Sequence, residues 1–95
     1  MYSKIIKKIN SKSFKVGVIG LGYVGLPLMC LIAKKKIETF GFDTNLKKIN
    51  YLKNKKSYIS DLSNNELKIL NSKNLFHKKD FSNISRVDLI ILCLP

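Results

Sequence analysis

VIGLGYVGLPL, residues 18–28, places Gly20, Gly22 and Gly25 in the spacing G-x-G-x-x-G and then runs on as an apolar segment. That spacing suits a turn in which the backbone comes close to a pyrophosphate, but three glycines alone have little specificity. The flanking residues supply it. KVGVIG, residues 15–20, is a short apolar run closed by glycine, as expected of a parallel strand buried on both faces. VGLPLMCLIAKK, residues 24–35, is apolar nearly all round and ends in lysines, which suit the negative end of a helix dipole. Pro27 falls in the first turn of this predicted helix, where a missing N–H is harmless.

Further along, ETFGFD (38–43) carries Thr39, Phe40 and Phe42 and reads as a second strand ending on Asp43. TNLKKINYLKN then sets Leu46, Ile49 and Leu52 at helical spacing, predicting a helix over 45–54 with Thr44 as N-cap. SYISDLS reads as a loop, and Ser63 is placed to cap a helix in NNELKILNS. NLFHKKDF holds a short third strand near 74–77, and RVDLIILCLP a strongly apolar strand over 87–94. Alternation of this kind predicts an α/β fold: a Rossmann-type parallel sheet with helices on both faces and strand order 3-2-1-4. Residues 14–95 form this partial dinucleotide-binding domain, its first half, and 1–13 a basic arm.

Each glycine has its own task in such a turn: Gly20 permits the tight bend, Gly22 leaves room for the pyrophosphate, and Gly25 lets helix and strand pack closely. The amides near Tyr23 and Val24 then stand at the positive end of the helix and face phosphate oxygens. An independent signature is an acid at the tip of the second strand, and Asp43 stands 18 residues after Gly25. Its carboxylate accepts from ribose hydroxyls and repels a 2′-phosphate, favouring NAD over NADP. The alternative is that Asp43 only caps the following helix. Lys48 works against the cofactor preference, since a cation tolerates an added phosphate.

Composition narrows the remaining classes. At 95 residues there is room for one small core, and no run of about 20 apolar residues is present to span a membrane. The formal charge is +12, yet the 18 basic residues include a single arginine, Arg86. Nucleic-acid surfaces draw on Arg for bidentate contacts and interleave aromatics with the charge, so a lysine excess accompanied by Asn and Ile reads as AT-rich coding rather than polyanion binding. Cys30 and Cys93 have neither redox nor metal-ligand spacing and read as small buried hydrophobes in a reducing, cytoplasmic setting. Cys93 lies at the carboxyl end of a strand, but without a base it is not read as a catalytic thiol. His77 reads as a surface histidine, and Asp61 and Glu66 are too isolated for an acid/base pair. No catalytic or metal-binding residue is assigned.

KVGVIGLGYVGLPL, GFDTNLKKINYL, SYISDLSNNEL and DFSNISRVDLIILCLP, taken together, resemble the amino-terminal NAD-binding domain of the UDP-glucose/GDP-mannose dehydrogenase family over residues 14–95. SYISDL leans the resemblance toward enzymes oxidising UDP-N-acetylhexosamines. It implies oxidation of a sugar C6 alcohol to a carboxylate in two steps, with two NAD reduced and a thiohemiacetal and thioester formed on a cysteine. It also implies that Val24 contacts the cofactor, that Asp43 holds the ribose, that Lys48 lies beside the adenosine, and that Pro95 opens a P-T-P-like segment touching NAD. The cysteine, its lysine and asparagine helpers and the UDP-sugar domain lie downstream in the family, and neither Cys30 nor Cys93 matches the catalytic position. The expectation is therefore a fragment, inactive alone, of a homo-oligomer whose UDP-sugar is bound by domains absent here. Departures are Lys36 and Lys55, where the family usually has glycine, and Ser60 in place of an acid. A β-hydroxyacid-type dehydrogenase and a non-catalytic NAD-binding module remain the alternatives.

Overall fold

The computed structural model describes residues 14–93; the basic arm and Pro95 lie outside the described residues. The glycine-closed run forms β1 (Lys15–Ile19), one of the two inner strands of a four-stranded parallel sheet. β1 is flanked by β2 (Glu38–Asp43) and β4 (Leu89–Leu92), and β3 (Leu75–His77) pairs with β2, so the order is β3-β2-β1-β4 as predicted. Registers are parallel throughout, with Ile19 opposite both Phe42 and Leu92, and Asp43 opposite His77. The carboxyl tips of the strands therefore gather at one edge, where the glycine turn begins.

α1 (Gly25–Lys34) and α2 (Leu46–Lys53) share one face of this sheet. Their apolar stripes, Leu26, Met29 and Cys30 from α1 with Ile49 and Leu52 from α2, join Val16, Val18 and Leu75 in one core cluster. Each fully buried aliphatic side chain there contributes about 1.5–3 kcal/mol relative to exposure. Right-handed crossovers moving in one direction place both helices on this side. The opposite face is covered over β2 and β3 by 3₁₀ turns within Lys78–Arg86, kinked at Asp80. Its Phe81 meets Phe42 edge-on at 5.5 Å between ring centroids, Phe42 stacks on Phe76 at 5.3 Å, and the Arg86 guanidinium lies 4.9 Å from the Phe40 centroid. Helical turns thus cover both faces, the second as 3₁₀ rather than α-helix.

Several local expectations are corrected. The N-cap of α2 is Asn45, not Thr44: the Asn45 side chain accepts from the Lys47 and Lys48 N–H groups. The predicted helix after Ser63 is a five-residue 3₁₀ segment, Asn65–Ile69, too polar on most faces to be driven further by packing. Ser63 does cap it: Glu66 N donates to Ser63 Oγ, and Ser63 N donates to Glu66 Oε1, a reciprocal capping box. β4 is shorter than 87–94, and as an edge strand it leaves Leu89, Ile90 and Leu92 exposed rather than buried. Cys93, past its end, is half-buried, whereas Cys30 is fully buried.

Both lysines that replace glycine end a helix with a positive φ, 63° at Lys36 and 58° at Lys55. After α2, Lys56 N donates to Tyr51 O and Lys55 N to Leu52 O, the bond pair of a Schellman motif. A lysine in this left-handed region is strained where glycine is not.

Candidate functional site

At the top of β1 the chain bends through Gly20, whose φ of 95° is open to glycine but not to ordinary L residues. Gly20 N still donates to Phe42 O at 2.9 Å, so the turn starts from the sheet itself. Gly25 opens α1 directly against this bend: a Cβ built on it lies 1.7 Å from the Gly20 carbonyl oxygen. Only glycine lets the helix approach the strand that closely. Gly22 is the opposite case, because a Cβ built there meets nothing within 4 Å. The bend at Gly20 and the close approach at Gly25 thus need glycine, and the space over Gly22 is open.

The start of α1 leaves donors free. Leu26 N donates to Gly22 O and Leu28 N to Val24 O, while among the described residues the N–H groups of Gly22, Tyr23, Val24 and Gly25 have no acceptor. No side chain caps this end, and Tyr23 and Val24 are exposed. Uncapped amides at a helix N-terminus, with open space over Gly22, make a receptor for an anion. The groups present fit a pyrophosphate.

Asp43, at the tip of β2, is buried, and each of its carboxylate oxygens accepts one local hydrogen bond. Oδ2 accepts from Leu21 N at 2.9 Å and Oδ1 from Asn45 N at 2.8 Å. It therefore braces the glycine turn and the entry to α2 at once, although the cap of α2 is Asn45; a carboxylate offers about four lone-pair sites, and two are taken. Next to it stands His77. It ends β3 opposite Asp43, and its Nε2 lies 3.0 Å from Thr44 O.

Sequence reasoning passed over Tyr58, within the SYISDLS loop. Its hydroxyl donates to Leu21 O, its ring lies 6.4 Å from that of Tyr51, and the Lys48 ammonium stands 5.6 Å from its centroid. A cleft of about 340 Å³ opens between these groups, lined by Gly22, Tyr23, Asn45, Lys48, Tyr51 and Tyr58 among others. Burial foremost, then the Asp43 charge and Cys30, push the Tyr58 phenol well above the usual range, so it stays a donor. Burial likewise raises the Cys30 thiol, which disfavours the thiolate. No α-helix among the described residues is long and apolar enough to cross a membrane.

The profile of the UDP-glucose/GDP-mannose dehydrogenase family, NAD binding domain, matches residues 14–95. The chain belongs to this family. NAD is the cofactor of the domain that it matches. Among curated relatives, a UDP-N-acetyl-D-mannosamine dehydrogenase of Methanococcus maripaludis is 36% identical over 83 residues, covering 85% of this chain and 19% of the relative. A UDP-N-acetyl-D-glucosamine 6-dehydrogenase of Salmonella typhi is 33% identical over 81 residues, 85% of this chain and 18% of its own length. The chain thus spans about a fifth of the relatives it matches. A crystal structure of a GDP-mannose dehydrogenase ternary complex from Pseudomonas aeruginosa superposes with a TM-score of 0.71 at 24% identity, over 84% of this chain and 19% of that one. That likeness establishes the fold.

Proposed function

We propose that this chain is the NAD-holding part of a nucleotide-sugar 6-dehydrogenase acting on a UDP-N-acetylhexosamine. In this reading the free amides of Gly22, Tyr23, Val24 and Gly25 hold the pyrophosphate, Gly20 shapes the turn and Asp43 takes the ribose hydroxyls with its remaining lone pairs. Lys48 lies on the adenosine side, and Pro95, outside the described residues, belongs to the same assignment. The observation that carries it is the meeting of four unpaired amides and the open space over Gly22 with an acid hydrogen-bonded to the same turn.

Bound NAD supplies a hydride acceptor; the residues of this chain bind and orient it. Asp43 carries a fixed negative charge where a 2′-phosphate has to sit, so NAD is favoured over NADP. The names of the relatives support the sugar, since they include both UDP-N-acetyl-D-mannosamine and UDP-N-acetyl-D-glucosamine dehydrogenases. Neither thiol of this chain serves as nucleophile in this account, and turnover depends on a substrate domain.

Calorimetric titration tests the cofactor reading: NAD binds the chain at least about tenfold more tightly than NADP, and Asp43→Asn narrows that ratio. No NAD binding, or equal affinity for both, refutes it. This chain, put in place of the matching segment of the Methanococcus maripaludis enzyme, should support NADH formation with that enzyme's substrate, and a folded chimera that forms no NADH contradicts the reading of an NAD-holding part.

A further inference from the structure

Leu21, between the first two glycines, has both of its backbone groups taken by side chains from elsewhere in the fold. Its N–H donates to Asp43 Oδ2, and its carbonyl accepts from the Tyr58 hydroxyl. With its own side chain fully buried, this residue pins the middle of the turn. Tyr58 is presented rigidly. Ser57 N donates to Asn64 Oδ1 at 2.7 Å, Ile59 N donates to Ser57 Oγ, and Ile59 is buried in the core cluster. The face of the same ring receives the Lys48 ammonium.

We propose that Tyr58 is a positioning residue for the dinucleotide turn: its hydroxyl fixes the Leu21 carbonyl while its ring seats Lys48, so that the turn, the ribose acid and the neighbouring cation are held as one unit. This rests on the reading of the turn as the NAD grip. Tyr58 touches no phosphate itself; it acts through Leu21 and Lys48. Tyr58→Phe removes the hydroxyl and keeps the ring, whereas Tyr58→Leu removes both. Because the hydroxyl steadies amides that face a pyrophosphate, its loss weakens ligands possessing one and spares AMP. Because the ring steadies a cation, its loss removes affinity that salt screens.

The test titrates NAD, ADP and AMP into wild type, Tyr58→Phe, Tyr58→Leu and Lys48→Met at low and high salt, with thermal unfolding recorded for each. Expected is a roughly tenfold loss for NAD and ADP in Tyr58→Phe, the size of one hydrogen bond, with AMP changed less than twofold. Tyr58→Leu loses about threefold more at low salt only, and Lys48→Met loses that same salt-dependent part from a folded surface variant. If Tyr58→Phe binds NAD within twofold of wild type, or weakens all three ligands equally in step with its melting temperature, the positioning role is overturned. A salt-independent loss in Lys48→Met overturns the seating of the cation. Wild type failing to bind NAD overturns the turn assignment beneath it, a result distinct from any variant effect.

Discussion

Adding one methyl group at Gly25, and separately one at Gly22, divides the structural work of the turn from its ligand-facing work. At Gly25 the new Cβ falls 1.7 Å from Gly20 O and 3.2 Å from Cys93 Cβ. Real Cβ atoms stay at least 3.0 Å from such neighbours, so α1 and the bend must part by about 1.3 Å, the difference of the two distances. The obstacle is backbone, which cannot swing aside, and α1 carries the buried Leu26 and Met29 with it. Overpacking a core costs about 1–3 kcal/mol, and this case belongs at about 3 kcal/mol. For a domain of this size that lowers Tm by roughly 12–24 °C. Gly22→Ala meets open space and no positive φ, so its Tm stays within about 4 °C of wild type. Its NAD affinity, however, falls at least about tenfold, since the methyl occupies the room over the amides. Thermal unfolding by circular dichroism and calorimetric NAD titration read the two effects. A Gly25→Ala protein melting within about 3 °C of wild type refutes the packing argument, and Gly22→Ala with unchanged affinity refutes the placement of the ligand.

Other expectations concern the scaffold. Lys36→Gly relieves a left-handed lysine and raises stability by about 1 kcal/mol in urea unfolding. Lys55→Gly gains less, because the Lys55 ammonium also donates to Leu70 O, and a larger gain there contradicts this balance. The Ser63 N–H, and then its hydroxyl, hold the Glu66 carboxyl below the ordinary glutamate range. A depressed folded pKa contributes stability above the unfolded value that is lost as pH falls through the folded one. The gap between wild type and Glu66→Gln in urea midpoints should therefore hold above the ordinary glutamate range and close as pH falls below it; a constant gap speaks against the capping box as its source. On β4, the exposed Leu89, Ile90 and Leu92 predict concentration-dependent self-association of the isolated chain. Ile90→Lys with Leu92→Lys should suppress it in sedimentation velocity, and a monomer at all concentrations argues against an adhesive edge.

Much of the architecture was legible because it rests on local rules. Alternating apolar runs and the handedness of crossovers are enough to order the strands 3-2-1-4, and the conformations of Gly20 and Gly25 follow from their spacing. The left-handed lysines stood out only against the glycines that the resembled family usually carries at those positions. What stayed hidden depends on contacts far apart in sequence. The 3₁₀ cover over residues 78–86 has little apolar character beyond Phe81 and Ile84, and it forms because Phe42 and Phe40 offer Phe81 and Arg86 an aromatic surface. Asp43 was read as a ribose acid, and its brace on Leu21, which spans 22 residues, was not foreseen. Tyr58, 37 residues from the carbonyl it holds, gives no periodic signal inside a polar loop.

Backbone amide resonances of the chain, followed by NMR as NAD is added, test the central claim most directly. The account predicts the largest shift changes at Gly22, Tyr23, Val24 and Gly25, with Leu21 and Asn45 following through Asp43. Changes confined to other surfaces, or none at saturating NAD, contradict it.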